Sequence, residues 1–152
     1  MSDARIGRAL LGVCCLALLA SGCGDDRFPH QYEDTDTNVS LETALKDHQV
    51  TLPRKARDVR YSANNQTEGY PLLMEFRIRC ASATDFITTN SFKKATRHDM
   101  SGGLVSAGAS EAGWRPTSGD AWYVRHSSGH RYSLGALISP ESGGDCHVWA
   151  AT

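Results

Sequence analysis

The sequence lacks the features that mark several large functional classes. Its formal net charge is −1, so no basic surface for nucleic acid is indicated. The longest apolar run, residues 9–20, is shorter than the ~18 residues that a membrane-spanning helix needs. Neither a phosphate-binding glycine motif nor a Gly-x-Ser-x-Gly elbow occurs. We therefore expect a small globular domain with no cofactor and no nucleic-acid partner.

The N-terminus has the pattern of an export signal. Two arginines precede the apolar run of residues 9–20, and residues 19–23 read Leu-Ala-Ser-Gly-Cys. A positive segment, a short apolar run and small residues are typical of a signal peptide. Residues 19–23 resemble the lipobox of bacterial lipoprotein precursors. That resemblance implies that a lipoprotein signal peptide, residues 1–22, is removed and that the thiol of Cys23 carries the lipid.

This resemblance gives an expected location and a first partner. The protein would be anchored by its acyl chains to the extracytoplasmic face of the bacterial cell membrane, which would itself be a partner. Two alternatives stay open. The chain could be a soluble secreted protein that is cut at an ordinary signal-peptidase site, or it could keep the apolar segment as an uncleaved anchor.

Cysteine usage agrees with export. Of five cysteines, Cys14 and Cys15 lie in the predicted signal peptide and Cys23 would take the lipid. Cys80 and Cys146 remain, and one remaining pair in an exported domain most simply forms a disulfide. The alternative is two free buried thiols.

The chain after the signal peptide divides into two parts by composition. Residues 24–39 are acidic and poor in apolar side chains, so residues 23–39 are predicted to be a lipidated cysteine followed by a flexible tether. Residues 40–152 are predicted to be a single α+β domain, because Ser40 is a suitable N-cap at the start of a helical pattern.

Periodicity predicts the elements of this domain. Helical spacing indicates short helices near residues 41–48 and 83–87. Alternation of apolar and polar residues predicts strands at residues 59–62, 72–80, 122–126, 132–138 and 146–150. We therefore expect an α+β fold with a mostly antiparallel sheet of about four to five strands, two short helices and one disulfide. Residues 93–120 are rich in Gly and Ser and are predicted to be a long loop.

A second resemblance covers about a third of the chain. It rests on Leu-Pro-Arg-Lys-Ala-Arg-Asp-Val-Arg-Tyr at residues 52–61, Gly-Tyr-Pro-Leu-Leu-Met-Glu-Phe at residues 69–76 and Asp-Phe at residues 85–86. These segments resemble small actinobacterial secreted lipoproteins of unknown function. The resemblance implies export and a compact α+β domain, and it implies neither an activity nor functional residues.

Histidines are the only candidate metal ligands. His126 and His130 flank a predicted hairpin loop and would face each other across two strands, and His147 lies on a later strand. Three imidazoles within about 5 Å of one another would suit Zn²⁺ or Cu²⁺. The alternative, which we favour, is two histidines at an exposed hairpin end and one at a strand edge, with no metal.

Aromatic residues are the candidate partner contacts. Trp114 lies in the long loop beside Arg115, and these two residue types often anchor interfaces. Alternation places Trp149 on the outer face of its strand, where a helix or a partner could cover it. The alternative for Trp114 is that it folds back onto the core.

The sequence supports three hypotheses and no catalytic residue. The first is a non-enzymatic, membrane-anchored module that binds a protein or a cell-envelope ligand. The alternatives are a small cell-envelope hydrolase and a metal-binding protein. A deep polar pocket with a histidine against a carboxylate would favour the hydrolase, and a flat aromatic patch would favour binding.

Overall fold

A computed structural model of the protein describes residues 28–32, 35–66, 70–96, 117–126 and 133–152. Two helices and six strands occur in these ranges: α1 (Leu41–Asp47), β1 (Arg57–Ala63), β2 (Leu72–Arg79), α2 (Ala83–Thr89), β3 (Lys93–Ala95), β4 (Ala121–Arg125), β5 (Leu134–Pro140) and β6 (Asp145–Ala151). Short 3-10 turns precede α2 and β6. Within the described ranges, no helix is long and apolar enough to cross a membrane.

The strands form one antiparallel sheet with the order β1-β2-β6-β5-β4-β3. The expected α+β class is confirmed, but the expected count of strands was too low. The additional strand is β3, which pairs Lys93 with Val124 and Ala95 with Trp122 of β4. Three residues are too few to show an alternating pattern, so sequence analysis placed them in a loop.

The two faces of the sheet differ in chemistry. The even-numbered residues of β2 and β6 point into the main core, and the odd-numbered residues point to the opposite face. Both helices pack on the core side, where the Phe86 ring of α2 lies edge-on to Phe76 with ring centroids 5.2 Å apart. The largest fully buried side chains are Tyr61, Phe76, Phe86, Leu72, Met74, Ile78, Leu134, Leu137 and Val148.

Side-chain hydrogen bonds hold the helices at their ends. Ser40 caps α1 by accepting the backbone N–H of Thr43 at 3.2 Å, as its sequence position predicted. Asn90, which is 2% exposed, ends α2 and donates through Nδ2 to the carbonyl oxygens of Thr51 and Phe86, each at 2.9 Å. Its Oδ1 accepts the Thr51 N–H at 2.7 Å. This buried amide therefore ties the end of α2 to the segment that follows α1.

The packed part of the chain begins before Ser40, the domain boundary that composition predicted. The Tyr32 N–H donates to the Tyr61 carbonyl at 2.8 Å, and the Tyr61 N–H donates to the His30 carbonyl at 2.9 Å. The Tyr61 hydroxyl also donates to the carbonyl of Val39, which is 4% exposed. Backbone groups of any sequence can make such bonds, so an acidic composition does not prevent this segment from docking on β1.

A disulfide joins Cys80 to Cys146 across a sequence separation of 66. Cys80 opens the turn after β2, and Cys146 lies on the core face of β6 opposite Ile78. The predicted pairing is confirmed. It closes the loop that contains α2, β3, β4 and β5.

We expect the Cys80→Ala/Cys146→Ala double variant to lose about 4 kcal/mol of unfolding free energy, because a long loop in the unfolded chain is then no longer closed. Urea denaturation with and without reductant measures this loss. Reductant should destabilise the wild type to a similar extent and leave the variant unchanged. Equal urea midpoints for oxidised and reduced wild type would contradict the expectation.

Candidate functional site

Charged and aromatic side chains gather on the face of the sheet away from the helices. The β2–β6 register sets Glu75 opposite Trp149 and Arg77 opposite His147. Directly opposite side chains on one face lie about 5 Å apart at Cβ. The register of two strands therefore brings these four residues together. We call them, with Glu141 after β5, the charged face.

His147 is the centre of the charged face. Its Nε2 lies 3.2 Å from Oε2 of Glu75, and its Nδ1 lies 3.7 Å from Oε1 of Glu141. The imidazole stacks on the Trp149 ring with centroids 3.8 Å apart, and the Trp149 indole N–H donates to the same Glu75 oxygen at 3.1 Å. Both ring nitrogens of His147 thus face carboxylates.

Glu75 is held in its charged form. Burial favours the neutral carboxyl and would raise its pKa, but the hydrogen bond and charge of His147, the charge of Arg60 and the Trp149 indole together hold the pKa below its ordinary value. Its side chain is only 16% exposed. The stacked pair therefore stabilises a largely buried carboxylate.

Arginines bind Glu141 of the charged face and two neighbouring carboxylates, those of Asp58 and Asp145. Arg77 donates through Nε to Glu141 Oε2 at 3.0 Å and lies 3.4 Å from Asp58 Oδ2. Arg57 and Arg79 lie 2.7 Å and 3.3 Å from the carboxylate of Asp145. The Arg57 hydrogen bond, with the nearby arginine charges, lowers the pKa of Asp145. These three arginines each have an acidic partner.

A cleft of about 590 Å³ opens beside the charged face. Asp58 lies at its wall with φ +50°, in the left-handed region that costs energy for a residue other than glycine. The β1–β2 register shifts between Arg57 and Arg60, and such a bulge redirects side chains at a sheet edge. The cleft is lined by His30, Ala56, Asp58, Val59, Arg60, Glu75 and Arg77.

One donor at the cleft has no hydrogen-bond acceptor within the described part of the chain. Arg60 is exposed and makes no ion pair or side-chain hydrogen bond there. Glu75 is its partner across the β1–β2 pair, and the charge of Arg60 helps to lower the pKa of that carboxyl. The buried Tyr32 hydroxyl also lies near Glu75: burial, followed by the charge of Glu75, raises the pKa of Tyr32, while the charge of Arg60 opposes this rise. Tyr32 is not among the residues that line the cleft.

The predicted histidine cluster does not assemble in the described residues. His126 is exposed, and its Nδ1 lies 3.2 Å from Ser133 Oγ beyond the end of β4. His147 pairs with Ser139, toward the opposite end of β5, roughly 20 Å away at the rise of a strand. His130 lies outside the described residues. In the parts that are described, no group of three His, Cys, Asp or Glu side chains is placed to hold a metal ion.

The other candidate residues divide into two groups. Trp149 lies on the face away from the helices, as alternation predicts, but it is half-buried against His147 and Glu75. Cys23, Trp114 and Arg115 lie outside the described residues, so their predicted roles stay predictions.

Sequence analysis missed the residues that form the cleft. Alternation along β2 did place Glu75 and Arg77 away from the core. It could not show which strand lies beside β2, and this neighbour decides that His147 and Trp149 meet Glu75. The bulge in β1 lies between Arg57 and Arg60, beside the cleft, and no pattern in the sequence predicts it.

The geometry around His147 does not suit activation of a nucleophile. A general base needs one nitrogen directed at the hydroxyl that it deprotonates, and both nitrogens of His147 face carboxylates. Ser139 lies opposite His147 on β5, yet no hydrogen bond joins their side chains in the described structure. The arrangement instead fixes charges in place beside an open cleft.

Comparisons with protein-family models, with curated proteins and with solved structures find no match to this chain. Its function is therefore inferred from the chemistry of the charged face and the cleft.

We expect Glu75→Gln to lower the free energy of unfolding near pH 7 by roughly 1.5–3 kcal/mol, the range for a hydrogen bond to a charged group. The amide can still accept from Trp149 but carries no charge for His147. Because folding lowers the pKa of Glu75, its contribution is complete above the ordinary value of 4.5 and is lost as the pH falls through the folded value. Urea denaturation from pH 7 to about pH 3 should therefore show a shallower acid loss for the variant than for the wild type.

Glu42→Gln is the matched control for this measurement. Glu42 is exposed in the first turn of α1 and forms no ion pair within the described ranges. Its replacement should leave the acid-dependent slope unchanged. Parallel pH profiles for the wild type and Glu75→Gln would show that Glu75 is not stabilised as the contacts indicate.

Proposed function

We propose that this protein is a lipid-anchored lipoprotein of the bacterial cell envelope that binds a ligand in the cleft lined by β1, β2 and His30. The observation that carries the binding role is the cleft itself, where the exposed Arg60 has no acceptor among the described residues. Its volume of about 590 Å³ is in the range of small-molecule sites. The membrane anchor and any envelope partner belong to the same proposal.

The anchor is supported by the pattern Leu-Ala-Ser-Gly-Cys at residues 19–23. A thiol at the end of this pattern is the group that would take the lipid, and small residues before it suit a narrow protease site. The pair Cys80–Cys146 agrees with a compartment in which disulfides persist. The proposed location is therefore the extracytoplasmic face of the cell membrane.

A small cell-envelope hydrolase is the second candidate, and one observation favours it. His147 lies against Glu75, which also lines the cleft, and histidine–carboxylate pairs are common in catalysis. The contact of Nδ1 with Glu141 opposes this candidate, because it leaves neither ring nitrogen directed at a hydroxyl. Hydrolysis of a simple ester by the wild type and its loss in His147→Ala would favour the hydrolase over the binding protein.

The anchor is tested by Cys23→Ser, with Cys14→Ser as the matched control from the apolar segment. We expect wild type and Cys14→Ser to be found in the membrane fraction with a diacylglyceryl mass on the mature N-terminus. Cys23→Ser should lack this mass, because a hydroxyl does not replace the thiol. Intact mass spectrometry of each membrane fraction measures this. A wild type without lipid, or a Cys23→Ser variant with the same lipid mass, would overturn the anchor.

A further inference from the structure

Arg60 differs from Arg57, Arg77 and Arg79 because no described carboxylate oxygen lies within ion-pair distance of its guanidinium, although Glu75 is its partner across the β1–β2 pair. Arg57, Arg77 and Arg79 each lie within 3.4 Å of a carboxylate oxygen. Arg60 has no such partner within the described ranges, and it lines the cleft. A guanidinium presents its donors in a planar fork that fits two oxygens of one anion. The cleft thus contains an arginine with its full set of donors available.

The carboxylates of the cleft already have hydrogen-bond or ion-pair partners. Glu75 is paired with His147 and bonded by Trp149, and Asp58 lies beside Arg77. Engaged carboxylates repel an incoming anion less than free ones, because their charge is partly offset by the partner. Arg60 remains the cleft arginine without a hydrogen bond to a described carboxylate, because Glu75, which faces it, is already bonded by His147 and Trp149.

We infer that the cleft binds the oxyanion group of a ligand, a phosphate or a carboxylate, with the exposed guanidinium of Arg60 as the main contact. This inference rests on the proposed function and names the ligand class of the same cleft. The cleft has room for a molecule larger than the oxyanion group itself.

The chain itself limits how far this cleft can lie from the lipid anchor. His30 lines the cleft and follows Cys23 by seven positions. A fully extended chain of that length spans at most roughly 25 Å. If Cys23 carries the lipid, the cleft lies within reach of the phosphates of neighbouring lipids as well as of soluble ligands, and both sources supply the same chemistry.

The test uses the full lipidated protein in an uncharged detergent and follows the side-chain N–H signals of arginine by NMR. The anionic probes are glycerol 3-phosphate and acetate, and the comparison probes are tetramethylammonium and glucose. We expect at least one anionic probe to shift the Arg60 signal saturably and the comparison probes to leave it unchanged. Arg60→Gln should weaken binding of that probe by at least about tenfold, as for loss of a charged hydrogen bond.

Two further variants separate specific contact from general charge. Arg54→Gln removes the same charge from an exposed turn outside the cleft, and it should leave the affinity unchanged. Glu33→Gln/Asp34→Gln changes the carboxylates next to Tyr32 in the sequence. If that variant alone creates anion binding, the acceptor in the wild type is the chain's own carboxylate, and the inference falls.

The source of the anion is distinguished in lipid nanodiscs. Arg60 signals that shift with phosphatidylglycerol but not with phosphatidylcholine alone would identify an anionic lipid headgroup. Signals that shift only with glycerol 3-phosphate or acetate would identify a soluble ligand. Either result supports the inference.

Three further results would overturn the inference. The first is equal weakening by Arg60→Gln and Arg54→Gln. The second is the absence of any Arg60 shift with the anionic probes and lipids. The third is a cleft that responds only to glucose or tetramethylammonium, which would overturn the oxyanion but leave the binding protein standing. Absence of the lipid mass at Cys23 would contradict the proposed anchor alone and would not bear on anion binding in the cleft.

Discussion

The pairing of β2 with β6 is the constraint on which both faces of the sheet depend. The two strands pair antiparallel in one register from Leu73 opposite Ala151 to Arg79 opposite Asp145. A slip of one residue would turn the whole of β6 over, because side chains alternate between faces. His147 would then enter the core in place of Val148. The apolar core, the disulfide position and the charged face are thus three consequences of one register.

The contacts of the charged face fix the positions of its side chains more than they add to the folding free energy. Half-exposed ion pairs such as Arg77–Asp58 contribute little to folding free energy, since water screens them and ordering long side chains costs entropy. The contact of His147 with Glu75 is more enclosed, with 13% and 16% of the side chains exposed. It fixes a carboxylate at the wall of the cleft. The partners of Arg77 and Glu75 are already in place, whereas Arg60 makes no side-chain hydrogen bond within the described residues.

Much of the fold could be predicted from the sequence because periodicity is a local property. Alternation along β2 identified its buried face, and elimination among the cysteines identified the Cys80–Cys146 bond. The candidate site could not be predicted in the same way. His147 was grouped with His126 by residue type, but they lie near opposite ends of the sheet. Its real neighbours depend on strand order, and the docking of residues 28–32 on β1 depends on backbone bonds that no side-chain pattern reveals.

The difference between Arg60 and Arg77 can be measured directly by phenylglyoxal modification of the folded, dialysed protein, with each arginine followed by peptide mass mapping. Three nitrogens of Arg77 face carboxylates, whereas Arg60 has no acceptor in the described part of the chain. The account predicts that Arg60 reacts at the rate of the exposed Arg54 and that Arg77 reacts more slowly. Reaction of Arg77 as fast as Arg60, or protection of Arg60 to the level of Arg77, would contradict it.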